Sequence, residues 1–113
     1  MVKTAGSIAL LAALGALAVA AKPKTTLATV YDQGFTPPTV KIKVNGSVKW
    51  TWDSFNTDFH TVTLNSAPKG VGMFGSSKRS VNYNFTHKFT KIGKYVVFCT
   101  LHPGNQQTVI VSK

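Results

Sequence analysis

Glutamate is absent from this chain, and only three aspartates, Asp32, Asp53 and Asp58, stand against thirteen lysines and arginines. No paired-carboxylate arrangement for general acid–base work is visible, and no nucleophile–base pair replaces it, so an enzyme is not expected. Cysteine occurs once, as Cys99, which excludes an internal disulfide. Helical periodicity is missing after residue 22, and no internal repeat, low-complexity tract or second linker divides the chain. No run of basic residues resembles a nucleic-acid arm, because the lysines are scattered: Lys41, Lys43, Lys49, Lys69, Lys78, Lys88, Lys91 and Lys94.

The N-terminus reads as an export signal. Met1-Val2-Lys3 gives a short positive start, Ile8 to Ala20 is nearly unbroken Ala, Leu and Val, and Ala18-Val19-Ala20 has the small-x-small form of a cleavage site. The apolar run is shorter than the ~20 residues of a spanning helix, which favours cleavage near Ala20/Ala21 over a retained anchor. Residues 1–21 are thus expected to be a signal peptide and 22–113 one small domain, periplasmic or extracellular, or membrane-associated if the signal is kept. The formal charge of +10 predicts a positive surface whose partners are acidic proteins or an anionic membrane face, with no nucleic acid, and a monomer is expected.

Apolar residues in the remainder recur every second position. Val40-Lys41-Ile42-Lys43-Val44 alternates, Asn45-Gly46 marks a tight turn, and Val48-Lys49-Trp50-Thr51-Trp52 resumes the alternation. His60 to Leu64, Tyr83 to Phe89, Lys94 to Cys99 and Thr108 to Val111 read as further strands, with Tyr83, Phe85, His87 and Phe89 on one face. Short strands punctuated by Gly, Pro and Asn predict a small antiparallel sandwich or barrel. The Gly- and Ser-rich stretch 66–80 is a long connection in which a short helical turn fits.

Strand parity places the cysteine. Tyr95, Val97 and Cys99 share a face, and two large apolar residues turn that face inward, so the thiol sits at the end of the core where a loop begins. His102 follows three residues later, close enough to share a metal. A thiolate with an imidazole is a soft-plus-borderline donor pair suited to copper or zinc, and a bound metal would protect an unpaired thiol after export. His60, opening a strand after a polar loop, is placed to reach the same end, whereas His87 inside a strand reads as packing or surface. With export, an all-β pattern and no other cysteine, a Cys-His-His site is the favoured reading, the donor set of blue copper centres.

The order of motifs is more specific than any one of them. Phe35-Thr36-Pro37, Val40, Ile42, Gly46, Val48-Lys49-Trp50, His60-Thr61-Val62, Gly93-Lys94-Tyr95 and Cys99 through Pro103 resemble the plastocyanin/amicyanin-type cupredoxins from Phe35 to Val111. The resemblance implies an all-β Greek-key sandwich of seven or eight strands, holding one type 1 copper ion at one end through His60, Cys99 and His102. It implies too that His102 is the solvent-facing ligand, in an apolar patch for which Leu101, Pro103, Phe59 and Pro37 are candidates. The chain departs at the axial position, where relatives with the same loop carry Met three residues after the histidine and this chain has Asn105. Gln107 is the second candidate, at a spacing that resembles Gln-ligated relatives, and a site without an axial side chain is the third. Met73 reads as packing. The implied function is single-electron transfer between redox partners. A copper carrier or store, or a module of this fold without a redox role, is the alternative, though with only two methionines the chain is poor in carrier-type ligands.

Overall fold

Alternation sorts the chain into an inner and an outer face, and the computed structural model, which describes residues 22–113, shows where each face goes. The expected signal segment 1–21 lies outside the described residues. Eight strands form: β1 Thr25–Tyr31, β2 Gly34–Thr36, β3 Thr39–Lys43, β4 Ser47–Trp52, β5 Thr63–Ser66, β6 Asn84–Lys88, β7 Gly93–Cys99 and β8 His102–Ser112. They make two four-stranded sheets, ordered β2-β1-β4-β6 and β3-β8-β7-β5. Between the sheets lie Val40 and Ile42 of β3, Val48, Trp50 and Trp52 of β4, Tyr95 and Val97 of β7, and Val109 and Val111 of β8. Each such side chain contributes roughly 1.5–3 kcal/mol by leaving water, which makes this core the main support of the fold.

The sheets are mixed rather than purely antiparallel, because β1 pairs parallel with β4 and β3 parallel with β8. The cause is a layer change in the sequence. Pro37 and Pro38 have no N–H to donate, so the ladder that pairs β2 with β1 stops there and the extended chain continues as β3 in the other sheet. Asn45-Gly46 then returns it to the first sheet as β4. Asn45 adopts a positive φ of 73°, and a Cβ on Gly46 would lie 2.9 Å from the Lys43 carbonyl oxygen, so a larger residue at Gly46 does not fit.

Two sequence expectations change. β8 begins at His102 rather than at Thr108, because the Cys99–His102 turn is tight enough to pair Cys99 with His102 directly. The 66–80 segment contains no helical turn. It folds back beside β5 instead, with the Leu64 N–H donating to the Phe74 carbonyl and the Ser76 N–H to that of Val62. β1 had weak signal, since Thr25-Thr26-Leu27 leaves Leu27 exposed and only Ala28 and Val30 buried.

The topology gives the sandwich two unlike ends. β1, β4 and β7 finish at one end, where β8 starts; β3 finishes, β7 begins and β8 finishes at the other. The first will be called the site end.

Candidate metal centre

Three donors converge at the site end. Cys99 closes β7, His102 opens β8 after a two-residue turn, and His60 lies in the connection from β4 to β5. Their ligand atoms all lie within 4.8 Å of one another. Cys99 Sγ is 3.6 Å from His102 Nδ1 and 3.9 Å from His60 Nδ1. A trigonal metal with bonds of about 2.0 Å to nitrogen and 2.3 Å to sulfur separates N from S by about 3.7 Å, so the donor set fits one ion. Cys99 and His60 are each 1% exposed, which leaves the His102 side chain, at 37%, as the ligand open to solvent.

His60 and Cys99 are held from behind. The His60 backbone exchanges two hydrogen bonds with Arg79, His60 N–H to Arg79 O at 2.8 Å and Arg79 N–H to His60 O at 3.1 Å. Trp52 Nε1 also donates to the His60 carbonyl. Thr61 joins the two ligand-bearing segments: its N–H donates to Cys99 Sγ at 3.4 Å, and its Oγ1 accepts from the Thr100 N–H at 3.0 Å.

Asp32, in the β1–β2 turn, fixes the tautomer of His60. His60 Nε2 donates to Asp32 Oδ1 at 2.8 Å, which leaves Nδ1 with its lone pair directed toward the thiol. The carboxylate also accepts from the N–H and hydroxyl of Thr57 and from the Asp58 N–H. These bonds, led by that from the Thr57 N–H and joined by that from His60, hold Asp32 well below the usual carboxylate range, so it stays ionised. Asp32 carried no signal in the sequence. It precedes His60 by 28 residues in what reads as an ordinary Asp-Gln-Gly turn, and only the fold brings the two together.

The remaining sequence candidates separate clearly. His87 stacks on Phe74 with ring centroids 3.6 Å apart, a packing role, and burial pushes its pKa down. The Gln107 amide is committed at both ends: Oε1 accepts from Trp50 Nε1 and Nε2 donates to the Pro37 carbonyl, each at 2.7 Å. Gln107 is thus a buried strut beneath the site rather than a free donor for the second axial choice. Asn105 lies over β2, its Cγ 3.6 Å from where a Cβ of Gly34 would project. Leu101 beside His102 is exposed, as are Phe59, next to the Asp58 whose carboxylate is 3.8 Å from His102, and Phe55 earlier in the same β4–β5 connection. Phe59 and Leu101 were sequence candidates for this apolar patch; Phe55 was not, because its turn position gives no periodic signal.

No protein-family profile and no curated protein matches this chain. Solved structures do match it in fold. A purple cupredoxin from Nitrosopumilus maritimus aligns at TM-score 0.67 and 23% identity, over 77% of this chain and 99% of that one. A Cu(I) form of an amicyanin variant aligns at TM-score 0.67 and 21% identity, over 84% and 88%. The copper-containing nitrite reductase of Thermus scotoductus aligns at TM-score 0.69 and 23% identity over 83% of this chain, which spans only 24% of that protein. The described residues therefore adopt the cupredoxin fold, with a His60-Cys99-His102 cluster at the end where β7 passes into β8.

Proposed function

We propose that this protein is an exported one-electron carrier that holds a single copper ion between His60, Cys99 and His102. The observation that carries this reading is the buried convergence of one thiol and two imidazole Nδ1 atoms at separations suited to one trigonal ion. A bound copper supplies exchange between Cu(I) and Cu(II) without a substrate step.

The chain's own residues do the rest. Asp32 and the Arg79 backbone keep His60 in one orientation, and Thr61 ties the Cys99 turn to the His60 segment. Donors fixed in this way reorganise little when the charge of the ion changes, which is what fast electron transfer requires. His102 is the path to solvent, and the exposed Leu101 and Phe59 near it form the docking collar for a redox partner. Burial of two ligands favours retention of the ion over its delivery to other proteins. The carrier reading leaves no open coordination position for a substrate, so we assign no enzymatic activity.

In this proposal Asn105, which stands where relatives carry a methionine, would offer an amide oxygen to the bound copper in place of a thioether. The harder donor stabilises Cu(II) and lowers the reduction potential below that of Met-ligated sites of similar burial. Voltammetry of the copper-loaded protein tests the function: a reversible one-electron wave is expected, and the absence of any reversible wave contradicts it.

A further inference from the structure

The positive charge of this molecule is not spread evenly. All three side-chain carboxylates lie at the site end: Asp32 receives His60 and the Thr57 hydroxyl, Asp58 Oδ2 is 3.8 Å from His102 Nε2, and Asp53 caps the turn at Phe55. The lysines gather at the other end. Lys22, Lys24, Lys41 and Lys43 line a groove of about 700 Å³ with Ile42, Val44, Gly46 and Ser112. Lys88, opposite Ser47 in the sheet, and Lys113, which follows Ser112, flank the same pole. Among the described residues no lysine or arginine forms a salt bridge, since both ion-pair contacts involve histidine. The groove lysines are all exposed, so their charge is directed outward without neutralisation.

We infer that this lysine pole docks on an anionic lipid bilayer and holds the protein with its site end facing away from the membrane. Two observations select a bilayer over an acidic protein. The pole is built from lysine alone, a residue depleted at specific protein interfaces but suited to a diffuse layer of phosphates. The exposed aromatic side chains that anchor specific protein contacts, Phe55 and Phe59, lie at the opposite end, whereas near this pole the exposed large apolar groups are the aliphatic Leu27 and Ile92.

The geometry separates docking from electron exchange. β7 runs seven residues from Gly93 at the lysine pole to Cys99, roughly 20 Å at ~3.4 Å per residue. Docking there leaves His102 and its apolar collar free for a partner, a consequence that rests on the electron-carrier reading, while the docking itself does not depend on copper.

Sedimentation of the full chain with phosphatidylcholine vesicles, with and without about one-third phosphatidylglycerol, tests the inference. An apolar N-terminal run adds the same term on both lipids, so lipid charge and lysine dependence are the readout. Binding is expected to be stronger on the anionic vesicles and to be released by high salt. Each groove lysine replaced by glutamine lowers the anionic partition about fivefold, and Lys22→Gln, Lys24→Gln, Lys41→Gln and Lys43→Gln together lower it at least about a hundredfold. Lys78→Gln at the site end leaves it unchanged. Equal binding to both lipids, or a fourfold variant that binds like the wild type with an unchanged melting curve, overturns the inference. So does tighter binding to soluble poly-aspartate than to anionic vesicles, which assigns the pole to an acidic protein.

Discussion

The two ends of the sandwich are made of the same strands but handle charge in opposite ways. At the site end, carboxylates meet histidines: Asp32 accepts from His60, Thr57 and the Asp58 N–H, and Asp58 stands near His102. At the far end, exposed lysines stand in solvent with no aspartate beside them and no salt bridge among the described residues. Of the chain's three aspartates, two, Asp32 and Asp58, stand beside the histidines of the candidate metal centre. Composition therefore describes this protein poorly, because the net charge belongs to one end and the chemistry to the other.

The largest effect that can break the comparison is removal of the thiol. Cys99→Ser is expected to abolish the visible thiolate-to-copper absorption completely while leaving the fold intact, because serine fills the same buried position; a retained band shows that the sulfur is not a ligand. Next comes the strut beneath the site. Gln107→Leu leaves Trp50 Nε1 and the Pro37 carbonyl without partners in the core, and should cost about 2–4 kcal/mol in denaturant unfolding. A loss below about 0.5 kcal/mol would mean that neither group depends on the glutamine.

Potentials sharpen the electrostatic half. Asp32→Asn keeps the shape but removes a negative charge near the ion, so Cu(II) loses support and the reduction potential should rise by tens of millivolts, with ~59 mV corresponding to a tenfold shift for one electron. An Asp53→Asn control, whose carboxylate caps only its own turn, should move it less. Asn105→Met should also raise the potential, and an unchanged value removes Asn105 from the axial role.

The smallest effect belongs to the far half of β6. Burial lowers the pKa of His87, so the folded chain takes up its proton less readily than the unfolded chain does. Stability from this group is complete above the unfolded value of about 6.5 and declines as pH falls from there toward the lower folded value. His87→Phe should flatten that decline in melting curves taken at successive pH values, and an unaltered slope would assign the decline to other groups.

Much of this was legible without coordinates, for reasons that differ by residue. Period-two alternation in β3, β4 and β7 fixes which side chains face inward, so Tyr95, Val97 and Cys99 come out buried as parity requires. The short Cys99–His102 spacing leaves the two ligands little freedom to separate. Long-range relations left no such trace. Nothing local pairs Asp32 with His60, Thr61 with Thr100 or Gln107 with Trp50, because each pair is assembled by strands that cross between sheets. The Pro37–Pro38 step likewise reads as a loop, although it is where an extended segment changes layer and makes both sheets mixed.

The central claim is that Cys99, His60 and His102 bind one copper ion as a thiolate-ligated redox centre. Titration of the apoprotein with Cu(II), followed by visible absorption, tests it most directly. An intense thiolate-to-copper band that saturates at one equivalent and bleaches reversibly on reduction is the predicted result. A solution that stays colourless after one equivalent of Cu(II) would contradict the account.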